Sequence, residues 1–429
     1  MTRPSPRAVA LELVTAVLDR RQPLDAALES SVAITALEPR DRAFARLIVG
    51  TVLRRLGQID AAIAVCLDKP LQAKARLARN LLRTGAAQLL FLRTPAHAAV
   101  DSTVALASGA QLAPYRGLIN AVLRRLARGG ADLVATQDAP RLNLPDWLWE
   151  AWRRDYGEAA VRAIAAVQER EPPLDLSVVA EPDDWAARLG ALRLPTGTLR
   201  LSHAGLIKDL PGYDQGAWWV QDAAAALPAR LFGDVRGAAV VDLCAAPGGK
   251  AMQLAAAGAC VVAVDRSQPR MTRLQENARR TALNIRTVVA DAARWQPEVP
   301  TYRVLLDAPC SSTGTLRRHP DVAWLKSQAD VERMTSLQDA LLDTASAMLA
   351  PGGTLVYCVC SLQREEGPDR VGALLARSDH LTRHPIDAGE IGGLTELITA
   401  EGDLRTLPCH LADKGGMDGF YAARLVRKD

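Results

Sequence analysis

Apolar and small residues recur at helical spacing through the first third of the chain: Ala10, Leu13, Val14, Val17 and Leu18, then Phe44, Leu47, Ile48, Thr51 and Val52, then Ile119, Val122, Leu123 and Leu126. A stripe with a period of 3.6 covers one face of a helix, so this stretch predicts an all-helical bundle. Asp41 is expected to cap the second run, and Gly129-Gly130 to end the third. Between about 140 and 230 the pattern weakens. Trp147, Trp149 and Trp152 cluster, Pro172-Pro173 breaks the chain, and the alternation from Leu174 to Val179 suggests a strand. Leu210-Pro211-Gly212 marks a loop before a helix expected over Asp222 to Leu231.

From Arg236 the grammar changes. Short β-branched runs at Ala239 to Leu243, Cys260 to Val264, Arg286 to Val289, Val304 to Leu306 and Thr354 to Tyr357 alternate with helical stretches. Buried strands separated by helices predict a parallel sheet wound with helices, an α/β fold. Three segments follow, with boundaries at 1–135, 136–230 and 231–429. No internal repeat or low-complexity stretch interrupts them.

Composition narrows the classes. With 49% hydrophobic and 23% charged residues the 429-residue chain reads as globular. It has no apolar run able to span a bilayer, and Met1 to Arg7 lacks a signal-peptide core, so a cytoplasmic location is expected. Net charge is +4, but residues 1–135 carry 19 Lys and Arg against 10 Asp and Glu, whereas the remainder carries 33 against 38. A basic helical segment suits a polyanion partner, and the cations are nearly all Arg, whose planar fork matches phosphate. An Arg-rich solvated face is the plainer reading of the same charges.

Seven cysteines, at 66, 244, 260, 310, 358, 360 and 409, lack disulfide or zinc spacing, so reduced thiols and no metal are expected. Cys66, Cys260 and Cys409 read as small core hydrophobes.

The chemistry gathers at strand ends. After the first strand of the α/β segment comes Asp242-Leu243-Cys244-Ala245-Ala246-Pro247-Gly248-Gly249-Lys250, then a helix. A small Gly-rich loop there lets backbone amides approach a nucleotide-like ligand. It is neither a P-loop nor G-x-G-x-x-G, because Cys244 and Ala251 stand where those motifs need Gly and Ser or Thr. Asp265 closes the second strand, in position for ribose hydroxyls, Asp291 follows the third, and Asp307 follows the fourth. The fourth and fifth strands run into Asp307-Ala308-Pro309-Cys310-Ser311 and Tyr357-Cys358-Val359-Cys360-Ser361, which brings thiols to the same edge as the carboxylates. Arg317, Arg318 and His319 follow closely and are candidates for phosphate contact.

These motifs together resemble the RsmB (Fmu/Sun) family of ribosomal RNA cytosine-5 methyltransferases. The resemblance is carried by the Asp242 to Lys250 loop, Leu306 to Ser311, Arg318-His319-Pro320-Asp321, Cys360-Ser361 with Glu365-Glu366, and Asp418-Gly419-Phe420-Tyr421. Gly212 to Asp222 also matches that family's entry to its catalytic domain, and Asn120 to Arg125 resembles the last helix of its NusB-like domain. The resemblance implies a Rossmann-like S-adenosylmethionine-dependent methyltransferase domain over 231–429. An all-helical NusB-like RNA-binding domain over 1–135 would precede it, with an RNA-contacting module over 136–230. It implies S-adenosylmethionine as cofactor and 16S ribosomal RNA as partner; a monomer is expected because no strong interface pattern appears in the sequence.

By the same resemblance, cofactor contacts would come from Cys244, Ala245, Ala246, Pro247, Gly248, Gly249, Lys250, Asp265, Asp291 and Asp307. Cys360 would be the nucleophile that adds to carbon 6 of the cytosine, and Cys310 the thiol that helps release product. Asp307 would hydrogen-bond the ring, and Lys250 would lower the thiol pKa. The chain departs from the family at Gly367, where Asn is common, and at Cys358 and Val359. Two rival readings stay open at this point: a DNA cytosine methyltransferase using Cys310 as nucleophile, and an RNA-binding factor whose sheet is inactive.

Overall fold

The computed structural model describes residues 5–202 and 204–429; Met1 to Pro4, the start of the segment read above for a leader, lie outside them. Two compact units emerge, Met1–Arg170 with Leu316–Lys326, and Glu171–Thr315 with Ser327–Asp429. The segment expected over 136–230 is therefore divided between them. Among the described residues no helix is long and apolar enough to cross a membrane.

The first unit is helical, as its periodicity predicts. The helices Pro6–Leu18, Pro39–Arg54, Arg76–Leu90 and Arg116–Ala135 enclose a core that contains Leu13, Val14, Val17, Ile48, Val52, Ile119, Leu123 and Leu126. Leu47, expected inside, is 43% exposed. The second run is not capped by Asp41: Pro39 takes the first helical position, where a missing N–H costs nothing, and Asp41 sits in the first turn. Gly129-Gly130 ends no helix either. A Cβ on Gly130 would lie 2.4 Å from Leu90 Cδ2, so glycine serves close packing against the helix Arg76–Leu90.

Residues past 135 extend this bundle. The helices Ala139–Leu142, Asp146–Tyr156 and Glu158–Gln168 bury Trp149 and Trp152. Asn143 exchanges hydrogen bonds with Gln58, accepting from its backbone N–H at 3.2 Å and donating to its side chain at 2.9 Å, and Arg55 pairs with Glu169 at 2.6 Å. The excursion Leu316–Lys326 is anchored just as firmly. Trp324 Nε1 donates to Leu53 O at 2.8 Å, Arg54 donates to Arg317 O at 2.7 Å, and Asp321 accepts from Leu24 N at 2.9 Å.

The second unit contains two sheets. The smaller is antiparallel in the order β2-β3-β1-β4, built from β1 Leu174–Val178, β2 Leu192–Arg193, β3 Leu199–Leu201 and β4 Trp218–Val220. Its core holds Leu176, Trp185, Leu199 and Trp218. The helix expected over Asp222 to Leu231 shrinks to Leu227–Arg230. Asp222 instead accepts from Ala224 N at 2.8 Å and Asp418 N at 3.0 Å, holding its segment as a turn.

The larger sheet contains the five expected strands: β5 Ala239–Leu243, β6 Cys260–Asp265, β7 Ile285–Val289, β8 Thr301–Asp307 and β9 Leu349–Val359. They pair in parallel in the order β9-β8-β5-β6-β7. Three further strands, β10 Leu381–Arg383, β11 Leu404–Thr406 and β12 Phe420–Arg427, add antiparallel pairings beyond β9. The sheet is thus mixed, not purely parallel. Helices connect most of these strands, as expected, and β7 and β8 are joined without one.

Gly57 offers a test of the division at 170. A Cβ there would lie 1.7 Å from Leu142 O, a backbone atom that cannot rotate away. The overpacking cost of up to ~3 kcal/mol exceeds the ~1 kcal/mol that alanine gains in helix propensity. Gly57→Ala should lower the thermal midpoint by about 4–8 °C in a melt followed by circular dichroism. An unchanged midpoint would mean that Ala139–Leu142 does not pack on the bundle.

Candidate functional site

The site is built where β5, β6, β8 and β9 end. Parallel register sets Leu306 beside Tyr357 and Asp307 beside Cys358 on neighbouring strands. Because adjacent strands lie about 4.8 Å apart, the two loops that follow leave the sheet side by side. One carries Cys310, three residues after Asp307, and the other carries Cys360, two after Cys358. Their Sγ atoms lie 3.5 Å apart.

Charge around this pair is arranged by one cation. Lys250 opens the helix Gly249–Ala256, is buried, and donates to Asp307 Oδ2 at 2.8 Å. Burial alone would lower its pKa, but the Asp307 carboxylate reverses this and raises it, so the lysine stays an ammonium. Its Nζ also lies 4.8 Å from the centre of the Phe420 ring. Cys358 donates to Asp307 Oδ1 at 3.6 Å; burial and the neighbouring carboxylate raise its pKa and keep it a thiol.

The two thiols are pushed apart in acidity. The hydrogen bond with Cys310 lowers the pKa of Cys360, against burial and Asp307, with Ser312 and Lys250 assisting. The same hydrogen bond, with burial, raises Cys310 well above its usual value. The two shifts run in opposite directions, which makes Cys360 the more acidic thiol of the pair.

The loop after β5 forms a cradle. Gly248 has φ of 106°, and a Cβ on it would lie 2.6 Å from Leu274 Cγ, so only glycine gives this turn and this approach. Cys244 also adopts positive φ, at 60°, and burial keeps its thiol protonated. The side chain of Asp265 is buried at the end of β6, where Oδ2 accepts from Ala246 N at 3.1 Å and Oδ1 from Ser267 N at 2.8 Å. Each oxygen keeps a second lone pair for hydroxyl donors. Asp291 is exposed just past β7 and accepts from Ala293 N at 3.1 Å. Together Cys244 to Lys250, Asp265, Asp291 and Asp307 lie along one sheet edge, as the strand ends predicted, and can hold a cofactor with an amino acid end and a ribose.

Other expectations fail. Arg317 is 1% exposed, which removes it as a surface contact for phosphate. It belongs to the excursion that packs on the helical bundle, where its carbonyl accepts from Arg54. Arg318 is exposed, whereas His319 is half-buried with Nδ1 3.6 Å from Asp25. Cys260, read as a core thiol, is exposed at the first residue of β6.

Two groups escaped the sequence reading as separate participants. Asp242, inside β5, is fully buried with neither carboxylate oxygen hydrogen-bonded. Burial and the charge of Asp307 raise its pKa well above the carboxylate range, so it is a neutral acid. Glu366, noted only as part of a motif, is fully buried behind the thiols. The repeated Cys-Ser at both strand ends was the available signal for it.

Comparison with known proteins shows the family. The family described as 16S rRNA methyltransferase RsmB/F matches residues 232–426, and the NusB family matches residues 4–128. Ribosomal RNA small subunit methyltransferase B of Cronobacter sakazakii is 33% identical, covering 98% of each chain. The protein of that name in Vibrio cholerae is 35% identical over 98% of this chain and 97% of its own. Among solved structures, one titled PH0851 aligns with a TM-score of 0.74 at 22% identity, covering 99% of both chains. The structure titled NSun6 from Pyrococcus horikoshii with SFG aligns with a TM-score of 0.57 at 18% identity over 66% of this chain and 98% of its own, a likeness of fold. With full-length relatives above 30% identity and both of its domains matched, the chain belongs to the RsmB/F family of 16S rRNA methyltransferases.

Proposed function

We propose that this enzyme methylates carbon 5 of a cytosine in 16S ribosomal RNA from S-adenosylmethionine, through a covalent bond between Cys360 and carbon 6 of the ring. The observation that carries this reading is the thiol pair, 3.5 Å apart and divided in acidity, beside the Lys250–Asp307 ion pair. Bound S-adenosylmethionine supplies an electrophilic methyl group, and the cradle from Cys244 to Lys250 with Asp265 and Asp291 fits its amino acid and ribose parts.

Aromatic carbon 5 is a poor nucleophile, so covalent addition at carbon 6 divides a difficult step into easier ones. Cys360 is the thiolate for that addition. The addition drives negative charge toward ring nitrogen 3, and Asp307 with the Lys250 ammonium holds this polar edge. Once carbon 5 carries the methyl group, a base takes the carbon 5 proton, the electron pair of that C–H bond re-forms the double bond to carbon 6, and the bond to Cys360 breaks with its electrons on sulfur. Cys310, kept as a thiol, supplies the nearby proton that eases this departure. DNA cytosine chemistry with Cys310 as nucleophile is disfavoured, because the chain belongs to a family of 16S rRNA methyltransferases and carries a second thiol, Cys360, beside Cys310.

RNA contact falls to exposed arginines of the first unit. Arg116, Arg124 and Arg128 lie on one side of the helix Arg116–Ala135, successive members eight and four residues apart and all exposed. We assign them, with Arg318, to phosphate binding.

Three outcomes test this reading. With labelled methyl donor and small-subunit ribosomal RNA, Cys360→Ser should transfer nothing, while Cys310→Ser should accumulate a protein–RNA adduct on denaturing gels; abolition by Cys310→Ser without adduct would exchange the two roles. Alkylation of Cys360 should follow a sigmoid in pH, and Cys310→Ala, which removes the hydrogen bond that lowers the Cys360 pKa, should move the midpoint upward and slow the reaction at neutral pH. Replacing Arg116, Arg124 and Arg128 by Gln should weaken RNA binding and flatten its log–log salt dependence by about 0.7 per lost contact on single strands. An unchanged slope would move the RNA surface elsewhere.

A further inference from the structure

Each of the two thiols is followed by a serine, and both serines end at one buried carboxylate. Ser311 and Ser361 are fully buried, and each donates its hydroxyl to Glu366 Oε2 at 2.5 Å. Ser311 also donates its backbone N–H to Glu366 Oε1 at 2.8 Å, and Gln338 Nε2 donates to the same oxygen at 3.2 Å. The two serine hydroxyls are 3.1 Å apart, close to the 3.5 Å between the sulfurs. Tyr357 anchors the other side of Glu366, its hydroxyl donating to the Glu366 carbonyl at 2.6 Å.

This arrangement has an electrostatic logic. All four contacts to the carboxylate come from neutral donors, so the position accepts an acceptor on both oxygens and nothing else. Burying a carboxylate without a cation is costly and is offset here only by the full set of hydrogen bonds. A core residue would fill the space at lower cost. The carboxylate instead ties together two loops from different strands at the residue next to each reactive sulfur.

We propose that Glu366 is a positioning residue for the methyl-transfer reaction: by drawing Ser311 and Ser361 onto one carboxylate it sets the spacing of Cys310 and Cys360. The inference rests on the roles given to the thiols above. The charge of Glu366 opposes ionisation of Cys310, which agrees with Cys360 as the more acidic thiol. Shape alone would be served equally by glutamine. Charge and acceptor capacity would not, because an amide turns an N–H₂ toward a hydroxyl or N–H donor.

The experiment compares wild type, Glu366→Gln and Ser361→Ala in the full chain. A diazene oxidant that takes the two electrons and two protons of the thiol pair, leaving a disulfide, measures the spacing of Cys310 and Cys360 without RNA. The pH profile of Cys360 alkylation measures the acidity of that thiol, and S-adenosylmethionine binding with the thermal midpoint measures the fold. Glu366→Gln is expected to slow disulfide formation by about tenfold or more, raise the alkylation midpoint and lower kcat more than it changes KM for RNA, with S-adenosylmethionine binding retained. Ser361→Ala should move the same readouts less. A wild-type rate and midpoint in Glu366→Gln overturns the proposal. Should Glu366→Gln fail to fold, wild-type behaviour of a folded Ser361→Ala overturns it instead. A wild type that transfers no methyl group to any RNA, yet shows these thiol effects, removes the assigned reaction and leaves Glu366 as the group that fixes the pair.

Discussion

The parallel pairing of β8 with β9 is the constraint from which the rest of the site follows. Its register sets Asp307 against Cys358, so the two loops that leave the strands begin from one place. A shift of one residue would turn every side chain on one strand to the opposite face of the sheet. Asp307 would then face away from Lys250, and neither thiol would meet the other. Buried Val304, Leu305, Leu306, Leu355, Val356 and Tyr357 oppose such a slip, because it would carry their apolar set across the sheet. Antiparallel β12 closes the far side of β9 and brings Phe420 to Lys250. Hydrophobic burial therefore holds the catalytic geometry at residues that take no part in the chemistry.

Within that frame the site must manage an excess of acid. Asp307 pairs with one buried cation, Lys250; Asp242 lies beside both and near Asp265, and Glu366 lies behind the thiols. Like charges in low dielectric cannot all be ionised without partners, and each group has its own resolution. Asp307 takes the ammonium. Asp265 and Glu366 take backbone and hydroxyl donors, and Asp242, with no donor, keeps its proton. The thiols inherit the remaining asymmetry, since Glu366 stands on the Cys310 side and Lys250 among the groups that favour the Cys360 thiolate.

Much of this was legible in the sequence, and the part that was not has physical reasons. The helical bundle, the five parallel strands, the glycine loop and the strand-end carboxylates follow from periodicities that act locally. Of the antiparallel edge, β10 and β11 span only three residues each, too few for alternation to register, and the eight residues of β12 are buried on both faces over Phe420 to Leu425 and so show no alternation. Gly129-Gly130 misled because glycine near a helix end usually signals termination, whereas here it admits Leu90. Glu366 was invisible as an actor for a different reason. An acidic residue in a polar turn normally faces water, and only three-dimensional proximity of Ser311 and Ser361, 50 residues apart, shows what it binds.

The excursion Leu316–Lys326 shows how a motif can be read correctly as significant and wrongly in kind. Three charged residues after a reactive loop suggest a ligand for phosphate, yet Arg317 is buried and Asp321 accepts the Leu24 N–H. Trp324 and Leu325 pack against the bundle's core. These eleven residues, belonging by sequence to the catalytic segment, spend their polar and apolar groups on the helical unit. The loop that carries Cys310 ends at Thr315 and is held at the residue after the thiol, where Ser311 donates its backbone N–H and its hydroxyl to Glu366. On the proposed mechanism, in which Cys310 stays within hydrogen-bonding distance of Cys360 through addition and release, that restraint lowers the conformational entropy to be lost when the reacting atoms align.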